Sequence, residues 1–145
     1  MPARTIGFAS DIDKARFIAR SAQEKAKSLG AFVEDDLSDT TGIEAGQSSG
    51  WAHDTVEKLV APSGAAMATV VSIKWSFAQN VANLVTAVWE SEGTIRIYFS
   101  RNDGTTWIQM ANGAATAITG AAGKDVRLKA EIEVGAKLKG WSACW

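Results

Sequence analysis

Apolar and polar residues alternate without a break over 126–134. Val126, Leu128, Ala130, Ile132 and Val134 take one side, and Arg127, Lys129, Glu131 and Glu133 take the other. A period of two belongs to an extended strand with one buried and one wet face, which is how antiparallel sheets are built. Other β-like runs occupy 55–60, 84–89, 94–99, 107–110 and 137–145. In the run 69–77, Val71, Ile73, Trp75 and Phe77 share one side. Breaks rich in Gly, Ser or Asn separate these runs, and no helical period interrupts them after Trp51. Six or seven strands at this spacing predict an antiparallel β-sandwich over 51–145, with a jelly-roll-like strand order.

The first third follows a different period. Ile12, Ala15, Ala19, Ala22, Ala26 and Leu29 recur at steps of three and four, with Arg16, Arg20, Glu24 and Lys27 on other faces. Ser10 is placed to cap a helix, Asp11 and Asp13 sit where the positive end of its dipole would lie, and Gly30 is a natural stop. The pattern predicts an N-terminal α-helix whose alanine stripe buries little area by itself. Small side chains permit close approach of another surface, so the stripe is a candidate docking or oligomerisation face. Residues 31–50, with Glu34, Asp35, Asp36 and Asp39 followed by Gly42, Gly46, Ser48, Ser49 and Gly50, have the composition of a connector. Together, 1–50 form the expected attachment segment. The acidic spacing is not that of an EF-hand loop, and a solvated loop is expected there.

Between the runs 94–99 and 107–110 lies Ser100-Arg101-Asn102-Asp103-Gly104-Thr105-Thr106-Trp107. Asp-Gly marks a tight hairpin, because glycine accepts the positive φ such turns demand. Ser100, Asn102, Asp103, Gly104, Thr106 and Trp107 are the expected structural residues of this turn. Ser100, Gly104, Thr106 and Trp107 match the Asp-box pattern Ser-x-Asp-x-Gly-x-Thr-Trp, with Asn102 where Asp is usual. In such a turn a short polar side chain accepts backbone N–H groups, and the tryptophan packs beneath it. The motif is structural where it occurs and does not imply hydrolysis.

Composition removes several function classes. The net charge is −1, with 15 Lys and Arg against 16 Asp and Glu, so no nucleic-acid partner is indicated. No apolar run is long enough to span a bilayer. One cysteine, Cys144, leaves no internal disulfide framework. One histidine, His53, gives no zinc pair, and a triad would have to use it; a loop or strand-edge role is expected instead. No phosphate-binding loop occurs, and Gly113, Gly120 and Gly123 read as a low-complexity loop. Tyr98, the single tyrosine, shares a strand face with Arg96. One Asp-box in a chain this short does not make a sialidase propeller. No catalytic, cofactor or metal site is expected.

A longer stretch, 70–145, resembles the C-terminal β-domain of bacteriophage tail-associated virion proteins. The resemblance rests on the strand and hairpin of 95–107, the strand Val-Arg-Leu-Lys-Ala-Glu-Ile at 126–132, and the terminal Leu138-Lys139-Gly140-Trp141. It implies a non-enzymatic structural protein of a tail, fibre or baseplate, made in the bacterial cytoplasm and carried in the virion. Its partners would be other virion proteins and copies of itself. Six tryptophans against one tyrosine add binding potential. On a regular last strand Trp141, Ala143 and Trp145 share a face, so Trp141, Trp145 and Cys144 are candidate contacts. A subunit interface is the expected use, and adhesion to a host-surface polysaccharide is the alternative.

Overall fold

The computed structural model describes residues 31–145, which fold as a mainly β, antiparallel structure. The predicted N-terminal helix, with Ile12, Ala15, Ala19, Ala22, Ala26 and Leu29, lies outside the described residues. Eleven strands are present among those described. They are β1 (Phe32–Asp35), β2 (Trp51–Asp54), β3 (Leu59–Pro62), β4 (Ala68–Val71), β5 (Trp75–Ser76) and β6 (Leu84–Glu92). β7 (Ile95–Ser100), β8 (Ile108–Gln109), β9 (Ala115–Ala117), β10 (Asp125–Ile132) and β11 (Lys137–Cys144) follow.

The strands make two sheets. The first runs β2-β3-β11-β6-β9, and β1 also pairs with β11. β6 lines β11 from Lys137 to Cys144, so β1 and β3 share the opposite edge. The second runs β4-β10-β7-β8, with β5 also against β10. One apolar cluster draws on both sheets. Val60, Val85, Trp89, Leu138 and Trp141 come from the first, and Val70, Ile97, Phe99, Val126, Leu128 and Ile132 come from the second. Trp145 closes one end of the core, edge-on to Phe77 at 4.9 Å and to Phe99 at 5.9 Å.

Alternation sets the inner face of β10 as the sequence implies. Val126, Leu128, Ala130 and Ile132 are fully buried. Val134 is not: the strand ends at Ile132, Gly135 turns the chain at φ +85°, and Val134 is left 57% exposed. Arg127 also departs from its expected wet face and is buried. In β11 the register slips between Leu138 and Gly140. An extra residue in one strand reverses the facing of everything beyond it. Leu138 and Trp141, three apart, therefore both point into the core.

Three predicted segments fold differently. The run 55–60 is mostly turn. Asp54 Oδ1 accepts the Val56 and Glu57 N–H groups, Lys58 is left-handed at φ +56°, and Val56 is 86% exposed. A local Asx turn thus outcompetes a β-like composition. The run 69–77 is broken at Ser72, whose Oγ accepts the Leu128 N–H and whose own N–H bonds the Leu128 carbonyl. The inward residues are Ala68 and Val70, and Ile73 is only half-buried. The low-complexity stretch contains β9, because Ala115–Ala117 adds to the edge of β6.

Residues 31–50 also do more than connect. β1 supplies Val33 to the core, and the following loop supplies Leu37 and Ile43. Glu44 N–H then bonds Val71 O, and Ser49 exchanges bonds with Thr69, so the loop crosses from the first sheet to the edge of β4 in the second.

Candidate functional site

The Ser100–Trp107 turn is held by its own side chains. Ser100 Oγ accepts the Gly104 N–H at 2.9 Å and donates to Asn102 Oδ1 at 2.9 Å. Asn102 Oδ1 also accepts the Thr106 N–H at 2.9 Å, and its amide nitrogen donates to Thr106 Oγ1. Asp103 and Gly104 take φ +57° and +83°. A methyl group on Gly104 would come within 3.2 Å of Trp107 Cζ2, so the indole lies directly against the glycine.

Two arginines fix this turn to the body. Arg101 is 4% exposed. Its guanidinium donates to the carbonyls of Val81, Ala82, Gly120 and Ala121 and to Asn83 Oδ1. One planar cation thereby closes two loops, with Nε, Nη1 and Nη2 all donating. Arg127 Nε donates to Asp103 Oδ1 at 2.6 Å, and its other arm donates to the Ser72 carbonyl at 2.8 Å. Lys74 stands 3.8 Å from the second Asp103 oxygen. The Arg127 hydrogen bond holds the Asp103 carboxyl below the usual range. Sequence alternation had no means of marking Arg101 or Arg127 as buried, because their acceptors lie about 20 or more residues away.

Beyond the turn, the outer face of the second sheet carries one ordered row. Ile97 and Phe99 point inward, so Arg96 and Tyr98 point outward, opposite Glu131 and Lys129 of β10. Lys129 Nζ sits 4.5 Å from the Tyr98 ring centre and 4.8 Å from that of Trp107. Tyr98 donates its hydroxyl proton to Glu131, and Arg96 bonds both Glu131 and Glu133. The Tyr98 bond lowers the pKa of Glu131, and the same bond raises that of Tyr98. Glu133 and then Glu131 raise that of Arg96.

The remaining sequence candidates scatter. Trp141 is 2% exposed and belongs to the core, so its indole is not available to a partner; its Nε1 finds no acceptor among the described residues. Trp145 is half-buried against Phe77 and Phe99. Cys144 is half-buried between Phe32 of β1 and Thr86 of β6. His53 lies on the edge strand β2, with Nε2 2.7 Å from the Leu37 carbonyl.

The acidic stretch lines an open pocket of about 320 Å³, formed by Glu34, Asp35, Asp36, Ser38, Asp39 and Thr41. Its carboxylates cap their own loop: Asp35 accepts the Leu37 N–H, Asp36 that of Ser38, and Asp39 that of Thr41. Burial raises the pKa of Asp35, whereas backbone bonds lower those of Asp36 and, after the Thr41 hydroxyl, Asp39. No group of three or more His, Cys, Asp or Glu among the described residues is arranged to hold a metal ion. No helix among them is long and apolar enough to cross a membrane.

The class that this geometry defines is a mainly β protein of two antiparallel sheets around a common core. No family model, curated protein or solved structure matches the chain.

Proposed function

We propose that this chain is a non-enzymatic structural component of a phage or phage-like particle, associated with its tail, fibre or baseplate. The body is a jelly-roll β-sandwich that works by contact. Strand order supports the sandwich reading. With β1, β2 and the short β5 set aside, the first sheet runs β3-β11-β6-β9 and the second runs β4-β10-β7-β8. Numbered one to eight along the chain, these are 1-8-3-6 and 2-7-4-5, the order of a double Greek key. Jelly rolls of this kind build viral capsid and lectin domains. Architecture alone does not choose among functions.

The observation that carries the assembly reading is the way residue 31 enters the body. β1 is laid antiparallel on the inner strand β11, from Phe32 opposite Cys144 to Asp35 opposite Trp141, and the Trp145 N–H bonds the Ala31 carbonyl. The first described residues, 31–35, are therefore paired with an inner strand of the first sheet. The stripe Ile12, Ala15, Ala19, Ala22, Ala26 and Leu29 is the part that meets a neighbouring virion protein or a second copy. Velocity sedimentation of the full chain tests this. The wild type sediments as an oligomer, and the pair Ala19→Glu and Ala22→Glu reduces it to monomer with an unchanged β-type circular dichroism spectrum. An oligomer indifferent to both charges would contradict the role given to the stripe.

A further inference from the structure

We propose that the outer face of the second sheet, centred on Trp107, Tyr98 and Lys129, is a binding platform for a neutral polysaccharide chain. This site is separate from the segment assigned to assembly and does not rest on that assignment. Five of the six tryptophans belong to the core or pack against it: Trp89 and Trp141 within, Trp51, Trp75 and Trp145 at its fringe. Trp107 alone does neither. It is half-buried against Gly104 on the outer side of the second sheet, beside Lys129, which also covers the ring of the only tyrosine. Beyond its packing against Gly104, the indole offers a rigid apolar surface at low entropic cost.

The polar groups beside it choose the ligand. Lys129 and Arg96 bring two positive charges, and Glu131 and Glu133 bring two negative ones. A row of zero net charge favours neither a polyanion nor a polycation. It holds donors in Lys129 and Arg96 and acceptors in Glu131 and Glu133, and sugar hydroxyls both donate and accept. The row is also organised before any ligand arrives, because Arg96 is bonded to both carboxylates and Tyr98 to one. Less side-chain freedom is then lost on binding. A pyranose laid with its C–H face on the Trp107 indole takes the place of the Lys129 ammonium over the ring. That flexible side chain then meets the hydroxyls at the edge of the sugar. The next unit lies over Tyr98 and reaches the Arg96–Glu131 pair, which the strand register sets two residues further along β7.

The test is titration of the full chain with cellohexaose, maltohexaose, mannohexaose and chitohexaose, followed by tryptophan emission and by calorimetry. At least one shifts the emission with a dissociation constant of about 1 mM or tighter. Trp107→Ala and, independently, Lys129→Met weaken that binding about tenfold or more. Lys129→Met leaves the turn intact, and circular dichroism confirms the fold of both variants. Absence of binding to all four sugars overturns the proposal. So does binding that survives both substitutions, or a preference for polygalacturonate over every neutral sugar.

Discussion

Asp103 at the apex of the turn and Arg127 near the start of β10 meet through a 2.6 Å hydrogen bond between Oδ1 and Nε. The contact joins a residue held at φ +57° to a side chain that is only 8% exposed. A turn that could otherwise fray is thus pinned to the central strand of its sheet. The same guanidinium holds the Ser72 carbonyl, where β4 gives way to β5. Hairpin and strand break share one cation.

Stability linked to Asp103 falls in acid. Its carboxyl titrates lower in the folded chain than its ordinary 3.8, chiefly because Arg127 hydrogen-bonds it. The contribution is therefore complete above the unfolded value and is lost as pH falls through the folded one. Asp103 is largely exposed, so solvent screening limits the effect, and Asp103→Asn costs about 1 kcal/mol at neutral pH. Urea unfolding of wild type and variant at neutral pH and in acid checks this. The two curves converge in acid.

Arg101 is the most sensitive polar residue of the body. Its removal leaves the carbonyls of Val81, Ala82, Gly120 and Ala121 without their shared donor. Arg101→Met costs about 3 kcal/mol or more by chemical denaturation. Arg101→Lys recovers little of it, because an ammonium cannot span both loops. Hydrogen exchange of the amides around 81–83 and 120–123 speeds up in both variants.

Asp35 acts in the opposite sense to Asp103. Burial raises its folded pKa, helped by the charges of Asp36 and Asp39, so the folded chain binds this proton more tightly than the unfolded one. Its contribution is least favourable above the folded value and improves as pH falls towards the unfolded one. Oδ2 is buried with no hydrogen-bond partner among the described residues, while Oδ1 accepts the Leu37 N–H. Asp35→Asn keeps that acceptor, removes the charge and stabilises the chain by about 1 kcal/mol at neutral pH. Gly42→Ala does the reverse, because its Cβ would lie 2.1 Å from Oδ2. Thermal melts of the two variants at neutral pH move in opposite directions.

The sequence was most legible where local pattern and burial agree. Leu128, Ala130 and Ile132 alternate with Lys129 and Glu131 because a single sheet face decides both sets. The turn was legible for a similar reason: Ser100, Asn102 and Thr106 satisfy one another within seven residues. Where partners are distant, the pattern is silent. Phe32–Asp35 became a strand because β11 has an open edge beside β3, which no acidic tetrapeptide announces. Trp141 turned inward because of a register shift at Lys139, invisible to a strict period of two. The outer row was half visible: Arg96 and Tyr98 share a strand, but Trp107 and Lys129 join them only through pairing.

Static light scattering of the intact chain over a dilution series tests the central claim most directly. Assembly through the proposed stripe in residues 1–30 gives a mass several times that of one chain, held through dilution. A mass equal to one chain at every concentration would contradict it.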